Sequence, residues 1–131
     1  MSTLILDSVA VTELARRDRR RATRLRSLRD RNLWPPVVPS VVLAECVSGR
    51  QSIDARTNLF LKDCDIDVVL PEQAARTAGR LRDLTGRASD ISAVDAVVVA
   101  MAEPDGVVLT TDLDDLRALA AHARGVIVEQ P

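Results

Sequence analysis

Apolar residues along this chain fall into short runs separated by polar stretches. Leu4-Ile5-Leu6, Val37-Val38, Ile66 to Leu70, Val107-Val108-Leu109-Thr110 and Gly125-Val126-Ile127-Val128 are too short and too continuous to be amphipathic helices. They predict five strands covered on both faces, the pattern of a parallel sheet. Helical segments lie between them. Val9 to Ala15 follows Ser8, which is placed to cap it. Arg16 to Arg31 carries Ala22, Leu25 and Leu28 as a narrow apolar stripe on an otherwise basic helix. Asn32-Leu33-Trp34-Pro35-Pro36 ends that helix, because proline cannot continue it. Pro39-Ser40 opens a helix over Val41 to Val47, closed by Gly49, and Ile53 to Lys62 forms another. Pro71 opens Glu72 to Leu84, which stops at Gly86. Ser89-Asp90-Ile91-Ser92 caps Ala93 to Ala102, a helix apolar nearly all round and so buried. After the turn Pro104-Asp105-Gly106 and the fourth strand, a last helix runs from Asp112 to Ala121.

This alternation predicts an α/β fold: a doubly wound parallel sheet of about five strands, flanked by helices in three α/β/α layers, with right-handed crossovers. A length of 131 residues fits one domain spanning 1–131. Composition narrows the function. Aromatics are only 2% (Trp34 and Phe60), which excludes base-stacking platforms. The net charge is −1, so no global basic field exists, yet half of the 18 basic residues lie between Arg16 and Arg31. Cys46 and Cys64 lack CxxC spacing and read as small hydrophobes. No signal peptide precedes Leu4 and no apolar run is long enough to cross a bilayer, so a cytoplasmic protein with no membrane partner is expected. His122, the only histidine, sits in a polar-ended helix and reads as a surface residue.

The chemistry is carried by acids inside or at the ends of apolar runs: Asp7, Glu45, Asp95 and Asp112. Acids are seldom buried without a partner, and the sequence sets no Arg or Lys beside each of these. Ligands of open α/β sheets bind outside the carboxyl ends of the strands. If strands one and four are central neighbours, Asp7 and Asp112 leave the same edge, and the helix starts holding Asp95 and Glu45 lie near it. Two carboxylates ~5 Å apart at an effective dielectric near 20 repel by ~3 kcal/mol. Four need a cation or strong pKa elevation. All-oxygen ligands suit Mg²⁺ or Mn²⁺.

LILDS, LAEC, AVDAVVVA and VVLTTDLDDL, in this order and at these spacings, resemble the PIN-domain nucleases. In particular the chain resembles the toxins of VapBC toxin–antitoxin pairs, over essentially its whole length. The resemblance implies a metal-dependent endoribonuclease with Asp7, Glu45, Asp95 and Asp112 at the metal-site positions. Thr110 matches a hydroxyl residue two before the last acid, where it would position Asp112 or a water. Asp115 matches an additional acid, and Ser8 stands where the family often has Thr or Ala. The resemblance also implies an RNA substrate, commonly structured RNA such as tRNA, a cognate VapB-type antitoxin and a homodimer. Arg16, Arg17, Arg20 and Arg24 are candidate RNA-phosphate contacts, with a plain solvated face as the other reading of that helix. Two further readings compete: a PIN-like module that binds RNA or antitoxin without catalysis, and a receiver-type phosphorylation module. The latter lacks its active-site lysine, since Lys62 lies too early.

Overall fold

The computed structural model describes residues 2–131. Five strands, β1 (Leu4–Leu6), β2 (Val37–Pro39), β3 (Asp65–Asp67), β4 (Val107–Leu109) and β5 (Ile127–Glu129), form one sheet in the order β3-β2-β1-β4-β5. Every pairing is parallel. Seven helices connect them: α1 (Ser8–Ala15), α2 (Arg19–Asp30), α3 (Ser40–Cys46), α4 (Gln51–Leu61), α5 (Glu72–Leu84), α6 (Ala93–Ala102) and α7 (Leu113–Ala120). Helix α1 packs on α3 and α4, whereas α6 packs on α5 and α7. The expected α/β architecture is therefore present, with β1 and β4 adjacent at the centre.

The core explains the order. All three residues of β1, the central strand, and of its neighbour β4 are buried, as strands covered on both faces require. Helix α6 buries Ala96 to Ala100 and Ala102, the continuous apolar stretch seen in the sequence. Leu6 pairs with Leu109, so the residues that follow, Asp7 and Thr110, emerge side by side. The chain passes from β1 to β2 on one side and places β4 on the other. In open α/β sheets such a reversal is where the ligand crevice lies, here at the carboxyl ends of β1 and β4.

Several expected boundaries move. Asp7, not Ser8, caps α1: its carboxylate accepts from the Ala10 N–H at 2.8 Å, and Ser8 is the first helical residue. The basic segment is not helical from Arg16. Asp18 accepts from the Arg20 and Arg21 N–H groups and starts a new helix at Arg19. On α2 only Leu25 and Leu28 are buried, and Ala22 is exposed. Helix α2 ends as Asn32 takes a φ of 56° and the Leu33 N–H reaches back to Leu28 O at 2.9 Å. The third strand is Asp65–Asp67 instead of Ile66 to Leu70, and Val68, Val69 and Leu70 are exposed. Pairing decides this: among the described residues β3 is an edge strand paired with β2 alone, and β2 offers only three residues. The fourth strand stops at Leu109, the last begins at Ile127, and Asp112 caps the final helix from outside it. Cys46 and Cys64 are free and half-buried against the core. Burial pushes the Cys64 thiol up to about 12. His122 is exposed. No helix is long and apolar enough to cross a membrane among the described residues.

Candidate metal centre

Asp7 anchors the crevice. It is buried, 3% exposed, directly after β1. One carboxylate oxygen accepts from the Ala10 N–H, and the other accepts from the Thr110 hydroxyl. Thr110 is fully buried and its oxygen in turn accepts from the Asp112 N–H at 2.9 Å. The hydroxyl thus joins the end of β1 to the cap of α7. Its contact to Asp112 is through the backbone N–H at the start of α7. Burial pushes the Asp7 carboxyl above its ordinary value. The Thr110 and Ala10 hydrogen bonds oppose that rise, and the charges of Asp112 and Glu45 reinforce it.

Asp95 enters from the first turn of α6, where the Ser92 hydroxyl caps its N–H at 3.0 Å. Burial pushes its carboxyl up to about 6, the Ser92 hydrogen bond opposing and Asp112, Asp7 and Glu45 adding to the rise. Asp112 caps α7, its carboxylate accepting weakly from the Asp115 N–H at 3.4 Å. One carboxylate oxygen from each of Asp95, Asp112 and Asp115 lies within 4.8 Å of the other two. Asp115, expected only as an accessory acid, is thus in the tightest group. Glu45, exposed on α3, lies outside this trio, though its charge is felt at Asp7 and Asp95. Ser8 is half-buried beside Asp7, and its side chain makes no hydrogen bond among the described residues.

Among the described residues, none of Asp7, Glu45, Asp95 and Asp112 has an ion pair. Asp115 has one, with Arg87 at 2.7 Å. Nothing along the chain singles out Arg87, because its loop and α7 meet only in the folded chain. The donor set is all carboxylate and hydroxyl oxygen, with no His or Cys in the group. Uncompensated charge plus oxygen donors fits a hard divalent cation such as Mg²⁺ or Mn²⁺ and does not fit zinc.

The basic helix is partly occupied by its own contacts. The Arg21 Nε donates to Leu14 O at 2.8 Å, and Arg29 stacks over Trp34 at 4.9 Å. Arg24 donates to the Gln130 carbonyl, with its Nε buried and without a partner among the described residues. Arg16 lies 3.5 Å from Glu13. Arg17 and Arg20 are exposed without an ion pair among the described residues. Arg20 and Arg24 line a groove of about 610 Å³ with Arg19, Arg21 and Asp18.

No protein-family profile matches the sequence, and no curated protein matches it significantly. Solved structures do. VapBC2 from Rickettsia felis, bound to a DNA fragment from its promoter, superimposes with a TM-score of 0.69 at 15% identity, covering 98% of both chains. VapBC-1 from nontypeable Haemophilus influenzae gives 0.65 at 12% identity, over 98% of this chain and 97% of the other. FitAB bound to an IR36 DNA fragment gives 0.62 at 20% identity, over 98% and 94%. The chain therefore has the fold of these proteins from end to end, which is the PIN-domain fold.

Proposed function

We propose that this chain is the toxin of a type II toxin–antitoxin pair and acts as a Mg²⁺- or Mn²⁺-dependent endoribonuclease. One observation carries the reading: the carboxylates of Asp95, Asp112 and Asp115 converge within 4.8 Å at the crevice where buried Asp7 is tied through Thr110 to Asp112. Asp7, Asp95 and Asp112 would hold the ion, with Glu45 facing them from α3. A divalent ion there supplies an activated water and neutralises charge on the scissile phosphate. The chain's own residues do the positioning. Ala10 N–H and the Thr110 hydroxyl fix both oxygens of Asp7, and Ser92 fixes the start of α6 beneath Asp95. Helix α6 presents its N-terminus to the crevice, so its dipole favours an anionic substrate.

The substrate in this reading is RNA, of a structured kind such as tRNA. Arg16, Arg17, Arg20 and Arg24 are the proposed phosphate contacts, and Arg17 and Arg20 are the freest of the four. The partner is a cognate VapB-type antitoxin, a proposal supported by the VapBC and FitAB complexes that share the fold. Exposed Val68, Val69 and Leu70 beside the β3 edge support a homodimer. The test is cleavage of bulk tRNA in Mg²⁺ by the wild type, Asp7→Asn and Asp95→Asn. Both variants should lose cleavage while keeping the wild-type circular dichroism spectrum. Undiminished cleavage in either would overturn the site. Mg²⁺ binding without cleavage by the wild type would instead favour a module that acts by binding alone.

A further inference from the structure

Resting on the nuclease reading above, the geometry points to a role for Arg87 that the acids alone do not reveal. We propose that Arg87 holds Asp115 out of the ion's ligand set and offers its remaining N–H groups to RNA phosphate beside the ion. Only Nη2 is engaged, with Asp115 Oδ1 at 2.7 Å. The Nε and Nη1 groups have no hydrogen bond among the described residues, and the side chain is 44% exposed. A guanidinium has five donors in a planar fork, so one can hold a carboxylate while others meet a phosphate.

The loop carrying Arg87 is built more firmly than a surface ion pair needs. Its N–H donates to Thr85 Oγ1 at 3.1 Å, and its carbonyl accepts from the Asp90 and Ile91 N–H groups at 2.9 and 3.0 Å. Arg82 spans the loop, donating to Ile91 O at 3.0 Å and Ala88 O at 2.7 Å. Ile91 is buried beneath it. An exposed ion pair adds little to stability, so this scaffolding is better explained by the placement of the charge. Charge balance agrees. Asp115 lies within 4.8 Å of Asp95 and Asp112, yet among the described residues is the only acid of that trio with a cation of its own. It is therefore the one whose negative charge the ion need not neutralise.

The experiment is Mn²⁺ calorimetry on the wild type, Arg87→Ala, Asp115→Asn and Asp95→Asn, with tRNA affinity measured in Ca²⁺ across salt concentrations. Asp115→Asn should bind Mn²⁺ within about threefold of wild type, since a residue outside the ligand set affects the ion only through screened charge. Asp95→Asn should lose Mn²⁺ binding. Arg87→Ala should bind Mn²⁺ at least as tightly as wild type, while tRNA affinity falls about tenfold and the log–log salt slope falls by about one. Arg87→Lys should restore the slope. If Asp115→Asn loses Mn²⁺ as Asp95→Asn does, Asp115 is a ligand and the proposal fails. Unchanged tRNA affinity and slope in Arg87→Ala would also overturn it. Retained Mn²⁺ binding in Asp95→Asn sinks the metal centre itself, a failure that reads separately.

Discussion

The Thr110 hydroxyl donates directly to the Asp7 carboxylate across 103 residues of sequence. The same oxygen accepts from the Asp112 N–H. A single side chain therefore satisfies a buried carboxylate and a helix-cap amide together. Thr110→Val keeps the shape and removes both interactions. Leaving buried groups unpaired costs about 1–3 kcal/mol each, so a loss of about 2 kcal/mol or more is expected in urea melts. The Asp7 carboxyl should rise further, because the Thr110 bond is what chiefly holds it down. Cleavage should fall as well. Thr110→Ser should restore most of both, and a fully stable Thr110→Val would count against this bridge.

Acid pH should stabilise the protein when metal is removed. The Asp95 carboxyl stands at about 6 against an ordinary 3.8, and Asp7 is raised in the same direction. A raised acid holds its proton more tightly folded than unfolded. Its contribution is full below the unfolded value and is lost as pH rises through the folded one. The Tm in EDTA should therefore climb as pH drops from about 7 to 5. Asp95→Asn should flatten that climb, and saturating Mg²⁺ should do the same. A Tm independent of pH in EDTA would contradict the crowding of these carboxylates.

Asp54 should behave in the opposite sense. It is buried on α4 and accepts from the Ser48 N–H and hydroxyl and from the Gly49 N–H at 2.8 Å. The Ser48 backbone bond is the main cause that lowers its carboxyl below the ordinary value. Its contribution is present above that value and lost below it. Asp54→Ala should lower the Tm at neutral pH, and the gap to wild type should shrink below about pH 4. An equal gap at both would show that packing, not charge, sets the loop after α3.

Gly106 should tolerate no side chain. A Cβ there would collide with the Ala102 carbonyl, which already accepts from the Gly106 N–H at 2.8 Å. The next residue, Val107, donates to Thr3 O at 2.8 Å and aligns β4 with β1. Gly106→Ala should cost about 2–3 kcal/mol, within the range for forced backbone strain. Thermal melts of the purified variant would check it, and a wild-type Tm would show that the turn can yield.

Much of this arrangement is legible along the chain. A continuous apolar run ending on Asp7, and an apolar helix interrupted by Asp95, are local patterns, and each survives folding intact. The misplacements share one cause. Ile66 to Leu70 has strand composition, but strand length is set by pairing, and β2 pairs only three residues with β3. Ser8 has capping chemistry, but Asp7 one residue earlier has it too, and the burial of β1 puts the carboxylate in reach of the Ala10 N–H. Asp115 stands out along the chain only by resemblance, as an additional acid, and its approach to Asp95 and Asp112 comes from the packing of α6 on α7.

By itself the sequence determined the five strands and seven helices, to within a few residues, and the four acids that break apolar runs. Hydrophobic periodicity and capping act over a turn or less, so they are written locally. The tertiary structure alone decided that β1 lies beside β4, that Thr110 serves Asp7 and Asp112 at once, and that Arg87 stands over Asp115. Those are contacts between segments distant along the chain, and what selects them is sheet order and helix packing, which no short window of residues contains.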